Sequence, residues 1–539
     1  MIKDYNTWLE MKEIDEDTKA KLKSMTEEEI EASFGYDLAF GTAGLRGVLG
    51  LGTNKMNEYT VLKSAIAIAK WVLNNNKENP SIAIGYDVRH MSYEFAHMIA
   101  RVMMHFNIKY YIYDHIIATP QLAFVTRYYN TDAGIMVTAS HNPKAYNGIK
   151  VYKKGGSQIL DDDANFIEET SKNISYGSIF DYISYSEIKY VDDSVFEVYY
   201  SSILNKSLYK NEARKVKIVY SPYNGTGLKP VSRILNDAGY TFDVPEEHKN
   251  PDPDFTSIPY PNPEVESTFD IPKKLAEKVG ADIIIATDPD ADRMNICVKD
   301  KGEYVFLNGN QVGALLVYWI VKRREDLGLD KGVVVKTIVT DDFGKSIAEK
   351  FDYEVVETLT GFKNISRVAN ELDGTNKEFV MGYEESIGYE IGTLVRDKDG
   401  ISASLFIADM ADYYIKQGKT LIDVLEYLYK FAGYHLSNNF SIEFSGLDPN
   451  EKMKNVMDKI REDGIDGINS LETIDYSKHK DKNLRTNALI YNLEDAKLCI
   501  RPSGTEPKIK VYIYSHSDDY DKSRKLTLDI EACVRKAME

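Results

Sequence analysis

Residues 134–143 read GIMVTASHNP, an apolar run that leads directly into a loop of small and polar residues. Residues 282–293, DIIIATDPDADR, repeat this arrangement with an acidic loop. Short β-branched runs bounded by Gly, Asp, Asn and Pro predict buried strands, here Gly134–Thr138 and Asp282–Ala286. In open α/β sheets, ligands bind beyond the carboxyl ends of the strands. We therefore expect function in these two loops.

The same pattern continues along the chain. Buried strands are also predicted at Ser81–Gly85, Val216–Tyr220 and Gly332–Lys336. Helical periodicity marks segments between them, such as Val61–Leu73 and Ile271–Val279. Strands that alternate with helices indicate parallel sheets built of βαβ units. A chain of 539 residues exceeds one hydrophobic core, and at roughly 150 residues per domain it predicts three or four domains.

Four other segments have a distinct character. The stretch before about Phe34 is polar and helical in pattern. Pro245–Pro263 is rich in Pro, Asp and Asn, which predicts a long irregular connection on the surface or beside the site. The apolar run Val312–Val321 is shorter than the roughly 20 residues of a membrane span, so it predicts a buried helix or strand. From about Ser441 the pattern changes, which indicates a separate α+β unit with a strand at Ile509–Tyr514.

The chain is acidic, with 66 basic and 84 acidic residues and a net charge of −18. Such a surface repels nucleic acid and anionic membranes, so neither is expected as a partner. An anionic small substrate would need a local basic pocket. Cys297, Cys499 and Cys533 have the spacing of neither a zinc site nor a disulfide framework, and the first residues contain no apolar signal region. These features predict a cytoplasmic protein.

The loop after Thr138 is the first candidate for chemistry. It places Ser140 beyond a strand among small neighbours, which let a phosphate approach the backbone, and NGIK at 147–150 follows. An ordinary strand-to-helix turn is the alternative, because Ser, Asn and Pro are common in turns.

The second candidate is DPDADR, with carboxylates at Asp288, Asp290 and Asp292. Carboxylates at alternate positions can converge on one cation, and oxygen ligands suit Mg²⁺ or Ca²⁺. An EF-hand is excluded, because that loop needs Gly and Glu where this chain has Arg293 and Lys299. A solvated acidic turn is the remaining alternative.

Three further motifs are weaker individually. RPSGTEP at 501–507 offers an arginine fork, hydroxyls and Gly-permitted amides to a phosphate, or is a Pro/Gly turn. GYEES at 382–386 offers paired carboxylates and a hydroxyl to sugar hydroxyls, or is a solvated loop. FGTAGLRG at 40–47 fits neither a P-loop nor a dinucleotide spacing, and either its Arg46 faces a phosphate or the loop is structural.

Together and in this order, the five motifs closely resemble those of the α-D-phosphohexomutase family, which includes phosphoglucomutases and phosphomannomutases. The match runs from about Phe40 to Lys510. The resemblance implies an α/β fold with three similar mixed-sheet α/β domains and a C-terminal α+β domain around a central cleft. The expected domains are 1–205, 206–322, 323–440 and 441–539.

The resemblance assigns chemical roles to the first two motifs. TASHNP resembles the family's phosphoserine loop, so Ser140 would carry the phosphoryl group. DPDADR resembles its metal loop, which implies Mg²⁺ bound by three aspartates together with that phosphoryl group. Lys150 is a candidate proton carrier, and we expect a buried cationic pocket to lower its pKa. The catalytic candidates are Ser140, Lys150, Arg46 and His141, and the metal candidates are Ser140, Asp288, Asp290 and Asp292.

The resemblance also assigns the substrate contacts. GYEES resembles the family's sugar-recognition loop, RPSGTEP its phosphate-binding loop, and TLTGFK at 358–363 another sugar-contacting segment. Gly388 falls near a position where some members have a proton-transferring histidine, so the second acid or base is unassigned. The substrate-binding candidates are Arg293, Thr358, Gly361, Lys363, Glu384, Ser386, Arg501, Ser503, Gly504 and Thr505.

The implied activity is that of a phosphoglucomutase, which interconverts glucose 1-phosphate and glucose 6-phosphate through a phosphoserine and glucose 1,6-bisphosphate. GYEESIGY at 382–389 with RDKDG at 396–400 resembles a branch that contains phosphoglucomutases and phosphopentomutases. The alternatives are a mutase for pentose or mannose phosphates, a phosphatase that uses the same serine and metal, and an inactive sugar-phosphate-binding protein. A mobile C-terminal domain is expected to release and re-enclose the intermediate.

Overall fold

The computed structural model divides the chain into two compact units. The first contains residues 1–306 and 388–416, and the second contains 307–387 and 417–539. Within the described residues, no helix is both long enough and apolar enough to cross a membrane. The described residues are 2–41, 44–210, 213–445, 448–503 and 507–538.

Three helices open the first unit, as the polar N-terminal pattern predicts. They are α1 (Ile2–Glu10), α2 (Glu16–Lys23) and α3 (Glu27–Phe34). Trp8 of α1 is fully buried, and its ring centroid lies 5.2 Å from that of Phe34 and 4.4 Å from that of Tyr59. The N-terminal helices therefore share the hydrophobic core of the sheet that follows them.

The first sheet follows these helices. Its elements are β1 (Phe40–Gly41), β2 (Gly44–Val48), α4 (Glu58–Asn75), β3 (Ser81–Tyr86), α5 (Ser92–His105), β4 (Lys109–Ile112), α6 (Thr119–Tyr128), β5 (Ala133–Val137), β6 (Tyr146–Lys153), α7 (Asp161–Lys172), a 3₁₀ helix (Tyr176–Tyr182) and α8 (Ser194–Lys206). The strand order is β1-β2-β6-β5-β3-β4, in which β3 is parallel to β4 and β5. The other pairs are antiparallel, so β6 returns along β5 and brings its side chains back beside the loop between these strands. The predicted helix and both predicted strands of this region are confirmed, with strand ends shifted by at most one residue.

The second sheet also belongs to the first unit. Its elements are β7 (Ile218–Ser221), α9 (Leu228–Asp237), β8 (Phe242–Asp243), α10 (Glu246–Lys249), a 3₁₀ helix (Glu266–Phe269), α11 (Asp270–Val279), β9 (Ile283–Thr287), β10 (Met294–Asp300) and β11 (Glu303–Phe306). The strand order is β11-β10-β9-β7-β8.

Two details of this region differ from the sequence prediction. β7 begins two residues later than predicted, because the Val216 amide donates to the Asp412 carboxylate and the Lys217 amide to that of Asp282. The connection Pro245–Pro263 is irregular apart from the short helix α10.

The third sheet opens the second unit. Its elements are α12 (Gly309–Asp326), β12 (Val333–Thr337), α13 (Phe343–Lys350), β13 (Glu354–Thr358), α14 (Phe362–Leu372) and β14 (Phe379–Glu384). β12 is parallel to β13 and β14, so the carboxyl ends of all three strands lie at one edge. The apolar run Val312–Val321 forms the buried centre of α12, which decides between the predicted helix and strand.

The chain then returns to the first unit with β15 (Gly388–Ile391) and α15 (Gly400–Ile415). The second unit continues with α16 (Leu421–Ala432), β16 (Tyr434–Glu443), α17 (Pro449–Asp463), β17 (Glu472–Asp475), 3₁₀ helices (Tyr476–Lys478 and Lys482–Leu484), β18 (Leu489–Asn492), β19 (Ala496–Pro502), β20 (Lys508–Ser517) and α18 (Tyr520–Met538). Its last five strands form an antiparallel sheet in the order β16-β20-β19-β18-β17. The predicted class is confirmed: three α/β sheets precede a C-terminal sheet of another topology. The limits of the four predicted domains stay predictions.

Candidate active site

Ser140 lies in the loop that joins β5 to β6, at the carboxyl end of β5. Its backbone is left-handed, with φ of +52°, and its amide donates to the Thr138 hydroxyl at 2.8 Å. The side chain is buried at 3% exposure, and Oγ donates to Oδ2 of Asp288 at 2.6 Å. The two loops singled out in the sequence therefore meet at a hydroxyl and a carboxylate.

The acidic loop follows β9. Ala291 has a left-handed φ of +55°, which turns the chain, and the Arg293 amide donates to Oδ1 of Asp288 at 3.0 Å. Asp288, Asp290 and Asp292 are fully buried, with one carboxylate oxygen of each within 4.8 Å of the others. Oδ1 of Asp290 and Oδ1 of Asp292 are buried without a hydrogen-bond partner. This set of oxygens fits Mg²⁺, which prefers hard carboxylate ligands.

Lys150 reaches the acidic loop from β6. Its Nζ lies 2.6 Å from Oδ2 of Asp290 and 2.7 Å from Oδ2 of Asp292. Burial alone would lower the pKa of Lys150, but the two carboxylates outweigh it and raise the pKa above its usual value. The expectation of a lowered pKa is therefore wrong for this arrangement, because acidic groups rather than cations surround the amine.

The pKa values of Asp288 and Asp290 are shifted in opposite directions. Burial, together with the charges of Asp290 and Asp292, raises the pKa of Asp288 well above its usual range. Burial also opposes ionisation of Asp290, but Lys150 overrides it and holds the pKa of Asp290 below its usual range. The Thr119 hydroxyl, at the start of α6, donates to Oδ2 of Asp290 at 2.7 Å.

The remaining candidates of the first unit border these two loops. Arg46 of β2 donates through Nη1 to Oδ1 of Asn142 at 3.0 Å, and Arg293 donates to Oε2 of Glu264 at 2.9 Å. His141 lies beside Ser140, with Nδ1 3.4 Å from Oγ. Burial, followed by the charges of Arg293 and Arg46, lowers the pKa of His141 well below its usual value, so the ring is neutral near pH 7.

Lys398 and Asp397 belong to this site although sequence reasoning gave them no role. Lys398 Nζ lies 3.3 Å from Oδ2 of Asp292 and 3.5 Å from Oδ1 of Asp397. Asp397 accepts hydrogen bonds from Tyr152 and Gln158, each at 2.7 Å. The signal was present in RDKDG at 396–400, a run of charges whose members are all buried, but burial is not visible in the sequence.

Arg89 also contacts the serine loop, although no sequence pattern predicted it there. It lies in the loop between β3 and α5 and is buried at 3% exposure. Its guanidinium donates to the carbonyl oxygens of Ser140 and Asn142 through Nη2. Through Nη1 it donates to those of Pro143 at 3.0 Å and Tyr146 at 3.1 Å. An isolated arginine in a strand-to-helix loop gives no sequence signal of this role.

The sugar-contact candidates of the second unit lie at the carboxyl edge of the third sheet. Thr358 ends β13 and Glu384 ends β14, and both are buried. Gly361 has a φ of +101°, which favours glycine, and precedes α14, whose first turn contains Lys363. Ser386 follows in the turn after β14.

The phosphate-binding candidates of the C-terminal sheet lie at the end of a hairpin. Arg501 of β19 is opposite Lys510 of β20, and its Cζ is 6.0 Å from the centroid of the Tyr512 ring. The Ser503 amide donates to the Lys508 carbonyl at 2.8 Å. The predicted basic pocket for an anionic substrate stays a prediction. Gly504 and Thr505 lie outside the described residues.

Known proteins are similar to this chain over most of its length. Models of phosphoglucomutase/phosphomannomutase α/β/α domains I, II and III match residues 37–177, 197–302 and 308–431. A phosphoglucomutase of Staphylococcus haemolyticus is 35% identical over 514 residues, which cover 91% of this chain and 93% of the relative.

Two solved structures share the fold. The open form of parafusin, a Paramecium phosphoglucomutase, has a TM-score of 0.69 at 18% identity, with 93% of this chain and 96% of that chain covered. An Aspergillus fumigatus N-acetylphosphoglucosamine mutase in complex with glucose 1,6-bisphosphate has a TM-score of 0.52 at 14% identity and covers 96% and 98%. At these identities the likeness concerns the fold alone.

The fold, the acidic loop beside a buried serine and the identity to curated relatives define a class of enzyme: the chain belongs to the α-D-phosphohexomutase family. It is an isomerase that transfers phosphoryl groups within sugar phosphates.

Proposed function

We propose that this enzyme is a phosphoglucomutase, which interconverts glucose 1-phosphate and glucose 6-phosphate through a phosphorylated Ser140. One observation carries the proposal: the buried Ser140 hydroxyl donates to Asp288 at 2.6 Å, in a loop where three carboxylates converge. A hydroxyl next to converging carboxylates is suited to accept and donate a phosphoryl group beside a divalent cation. The 35% identity to a Staphylococcus phosphoglucomutase supports glucose as the sugar.

The metal in this proposal is Mg²⁺. Asp288, Asp290 and Asp292 would hold the ion together with the oxygen of the serine phosphoryl group, since two of their buried oxygens have no protein partner. Bound there, Mg²⁺ would neutralise charge on the transferring phosphoryl oxygens.

The proposed reaction has two phosphoryl transfers. In the first, a free hydroxyl of the sugar phosphate attacks phosphoserine: a bond from phosphorus to the sugar oxygen forms, and the bond to Ser140 Oγ breaks. The attacking hydroxyl loses one proton and Oγ gains one, so charge is conserved. In the second, glucose 1,6-bisphosphate returns its other phosphoryl group to Ser140. Glucose 1,6-bisphosphate is therefore both the intermediate and the activator.

Protein groups supply the proton transfer and the stabilisation of charge. Lys150 is the proposed proton carrier, and its contacts with Asp290 and Asp292 hold its amine beside the reacting loop. Arg46, Arg293 and a neutral His141 border Ser140, where the arginines would stabilise the transferring group.

The second unit would hold the sugar phosphate. We assign the sugar hydroxyls to Thr358, Gly361, Lys363, Glu384 and Ser386, which follow the strands of the third sheet. We assign the phosphate that is not transferred to Arg501, Ser503, Gly504 and Thr505. The enzyme is proposed to act in the cytoplasm, since its three cysteines are free thiols.

Turnover of matched sugar phosphates tests the substrate. Mannose 1-phosphate differs from glucose 1-phosphate in the configuration of one hydroxyl, and ribose 1-phosphate has one carbon fewer. Specificity is the ratio of their kcat/KM values. We expect the highest kcat/KM with glucose 1-phosphate, in the presence of Mg²⁺ and glucose 1,6-bisphosphate. A higher value with mannose 1-phosphate or ribose 1-phosphate would reassign the enzyme to the phosphomannomutase or phosphopentomutase alternative.

The same reactions distinguish a mutase from a phosphatase. A mutase converts glucose 1-phosphate to glucose 6-phosphate with little free phosphate, whereas a phosphatase releases inorganic phosphate in step with substrate loss. Stoichiometric phosphate release would contradict the proposal.

A further inference from the structure

We propose that Arg89 is a positioning residue, which fixes the backbone of the loop 140–146 and so the direction of the Ser140 hydroxyl. The inference rests on the proposed role of Ser140 in phosphoryl transfer. Arg89 does not contact the reacting oxygen in the structure, and its contacts with the loop are all to backbone carbonyls.

The Arg89 guanidinium donates hydrogen bonds to four carbonyls of this loop. Nη2 of Arg89 serves the carbonyls of Ser140 and Asn142, and Nη1 serves those of Pro143 and Tyr146. These four residues extend from Ser140 to the start of β6. The loop is partly buried, and a carbonyl group that is removed from water needs a donor, which a single side chain here supplies to four carbonyls.

The chemistry of this contact requires arginine. A guanidinium offers planar, fixed donors, whereas a lysine ammonium is a compact charge with three donors on a flexible chain. A lysine at position 89 would keep the charge but could not donate to all four carbonyls, because its ammonium has only three N–H groups.

The guanidinium has two further partners, Asp87 and Phe255. Nε of Arg89 lies 3.3 Å from Oδ2 of Asp87, and Oδ1 of Asp87 accepts the Arg89 amide at 3.0 Å and the Ser92 hydroxyl at 2.7 Å. The guanidinium also lies 5.0 Å from the centroid of the buried Phe255 ring. These contacts immobilise Arg89, so it can act as a rigid template for the loop.

Arg89 supports an unusual backbone conformation at Ser140. Ser140 has a φ of +52°, a conformation that non-glycine residues adopt rarely and that surrounding contacts must maintain. The Ser140 carbonyl is one of the four that Arg89 binds, and Oγ of the same residue meets Asp288. Loss of the guanidinium is expected to let this backbone relax and to turn Oγ away from the acidic loop.

Arg89→Lys tests the inference with two readouts. The first is kcat and KM for glucose 1-phosphate, where we expect kcat to fall about 100-fold while KM changes little, since a small misplacement of a reacting group has an effect of this size. The second is hydrogen exchange of the amides in residues 139–147, which needs no catalysis. We expect exchange there to be about tenfold faster than in the wild type.

Arg101→Lys is the matched control. Arg101 donates to the carbonyls of Ser184 at 3.1 Å and Ser186 at 3.4 Å, so it also binds backbone in the first unit but not in the serine loop. We expect wild-type kcat and wild-type exchange at 139–147 in this variant. If Arg89→Lys matches the control in both readouts, the inference is overturned, whereas a wild type without mutase activity would instead contradict the proposed function.

Asp87→Asn keeps the inference testable if Arg89→Lys does not fold. It removes the charge opposite Nε and leaves the carbonyl contacts in place, so we expect a smaller change in the same direction, with kcat about fivefold lower and faster exchange at 139–147. Unchanged kcat and unchanged exchange would overturn the inference.

Discussion

Lys150 in the first unit and Lys336 in the second are buried lysines that each lie between two carboxylates, and we propose a reaction site beside Lys150 alone. Lys150 in the first unit contacts Asp290 and Asp292 at 2.6 and 2.7 Å. Lys336 in the second unit contacts Asp342 at 2.7 Å and Glu357 at 3.4 Å. In both cases burial would lower the pKa of the lysine, and the carboxylates outweigh it and raise the pKa.

The two regions differ in the partners of their carboxylate oxygens. Around Lys336, Lys345 lies 3.1 Å from Glu357 and Lys497 lies 3.8 Å from Asp342, so three lysines serve two carboxylates. The acidic loop beside Lys150 has three carboxylates, and Oδ1 of Asp290 and Oδ1 of Asp292 have no hydrogen-bond partner. Oδ1 of Asp342 also lacks a hydrogen-bond partner, but it lies 2.7 Å from Nζ of Lys336. A lysine between carboxylates therefore does not by itself indicate a metal site, whereas converging carboxylate oxygens without a partner favour one.

The largest expected effect concerns the Ser140 hydroxyl, which donates to Asp288 in the first region. Ser140→Ala removes the phosphoryl carrier and is expected to reduce kcat by at least roughly 10⁴-fold, because a lost nucleophile cannot be replaced by binding alone. Initial rates with glucose 1-phosphate measure this effect. Turnover near the wild-type rate would refute the role of Ser140.

The next effect concerns the cation. Mg²⁺ at 100 times its Kd should stabilise the wild type by about 2.7 kcal/mol, because the ion binds the folded state. Asp290→Asn removes one of the converging carboxylates and should abolish most of this gain, as followed by Tm with and without Mg²⁺.

Glu357→Gln is the matched control for the cation test, since it removes a carboxylate from the Lys336 region. It should lower Tm and keep the full response to Mg²⁺. An equal response to Mg²⁺ in Asp290→Asn and the wild type would place the metal elsewhere.

The two lysines themselves provide a smaller and sharper contrast. Lys150→Met should reduce kcat about 100-fold through loss of the proton carrier. Lys336→Met should leave kcat near that of the wild type and lower the free energy of unfolding by about 1–3 kcal/mol, because two partly buried carboxylates lose a close cation. Kinetics and denaturant unfolding of both variants measure the contrast, and a similar loss of kcat in both would remove the distinction between the two regions.

How much of this the sequence could predict depends on how local each signal is. Ser140 and the three aspartates were predicted because each motif is short and follows its own strand. The pKa of Lys150 was predicted wrongly, since the sequence does not show that two aspartates of another segment enclose its amine. Arg89 was missed because its partners begin 51 residues further along the chain.

For the fold too, local features could be predicted from the sequence, whereas features that depend on distant residues could not. Alternation of apolar runs and helical periodicity was enough to predict the strands β3, β5, β9 and β12 within one residue. β7 was predicted two residues too early, because a side chain far along the chain, Asp412, binds the amide of Val216. The division of the chain at residues 307 and 388 depends on contacts that no local pattern encodes.

The smallest expected effect is on the dependence of stability on pH. Burial lowers the pKa of His248 in the first unit and of His435 in the second to about 4 in each case. Each ring is neutral in the folded state but takes up a proton near pH 6.5 when unfolded, so its stabilising contribution is present above pH 6.5 and is lost as the pH falls toward 4.

His248→Asn and His435→Asn should each reduce the loss of unfolding free energy between pH 6.5 and pH 4, by about 1–2 kcal/mol. Urea unfolding at the two pH values measures this difference. A loss as large as that of the wild type in both variants would show that other groups cause the acid sensitivity.

The central claim is that Ser140 carries the phosphoryl group beside a metal held by the acidic loop. The most direct measurement is incubation of the enzyme with glucose 1,6-bisphosphate labelled in its phosphates, with Mg²⁺ or with a chelator, followed by peptide mapping. We predict close to one labelled phosphate per chain, on Ser140 and dependent on Mg²⁺, which glucose 1-phosphate then removes. Label on another residue, or no label at all, would contradict the claim.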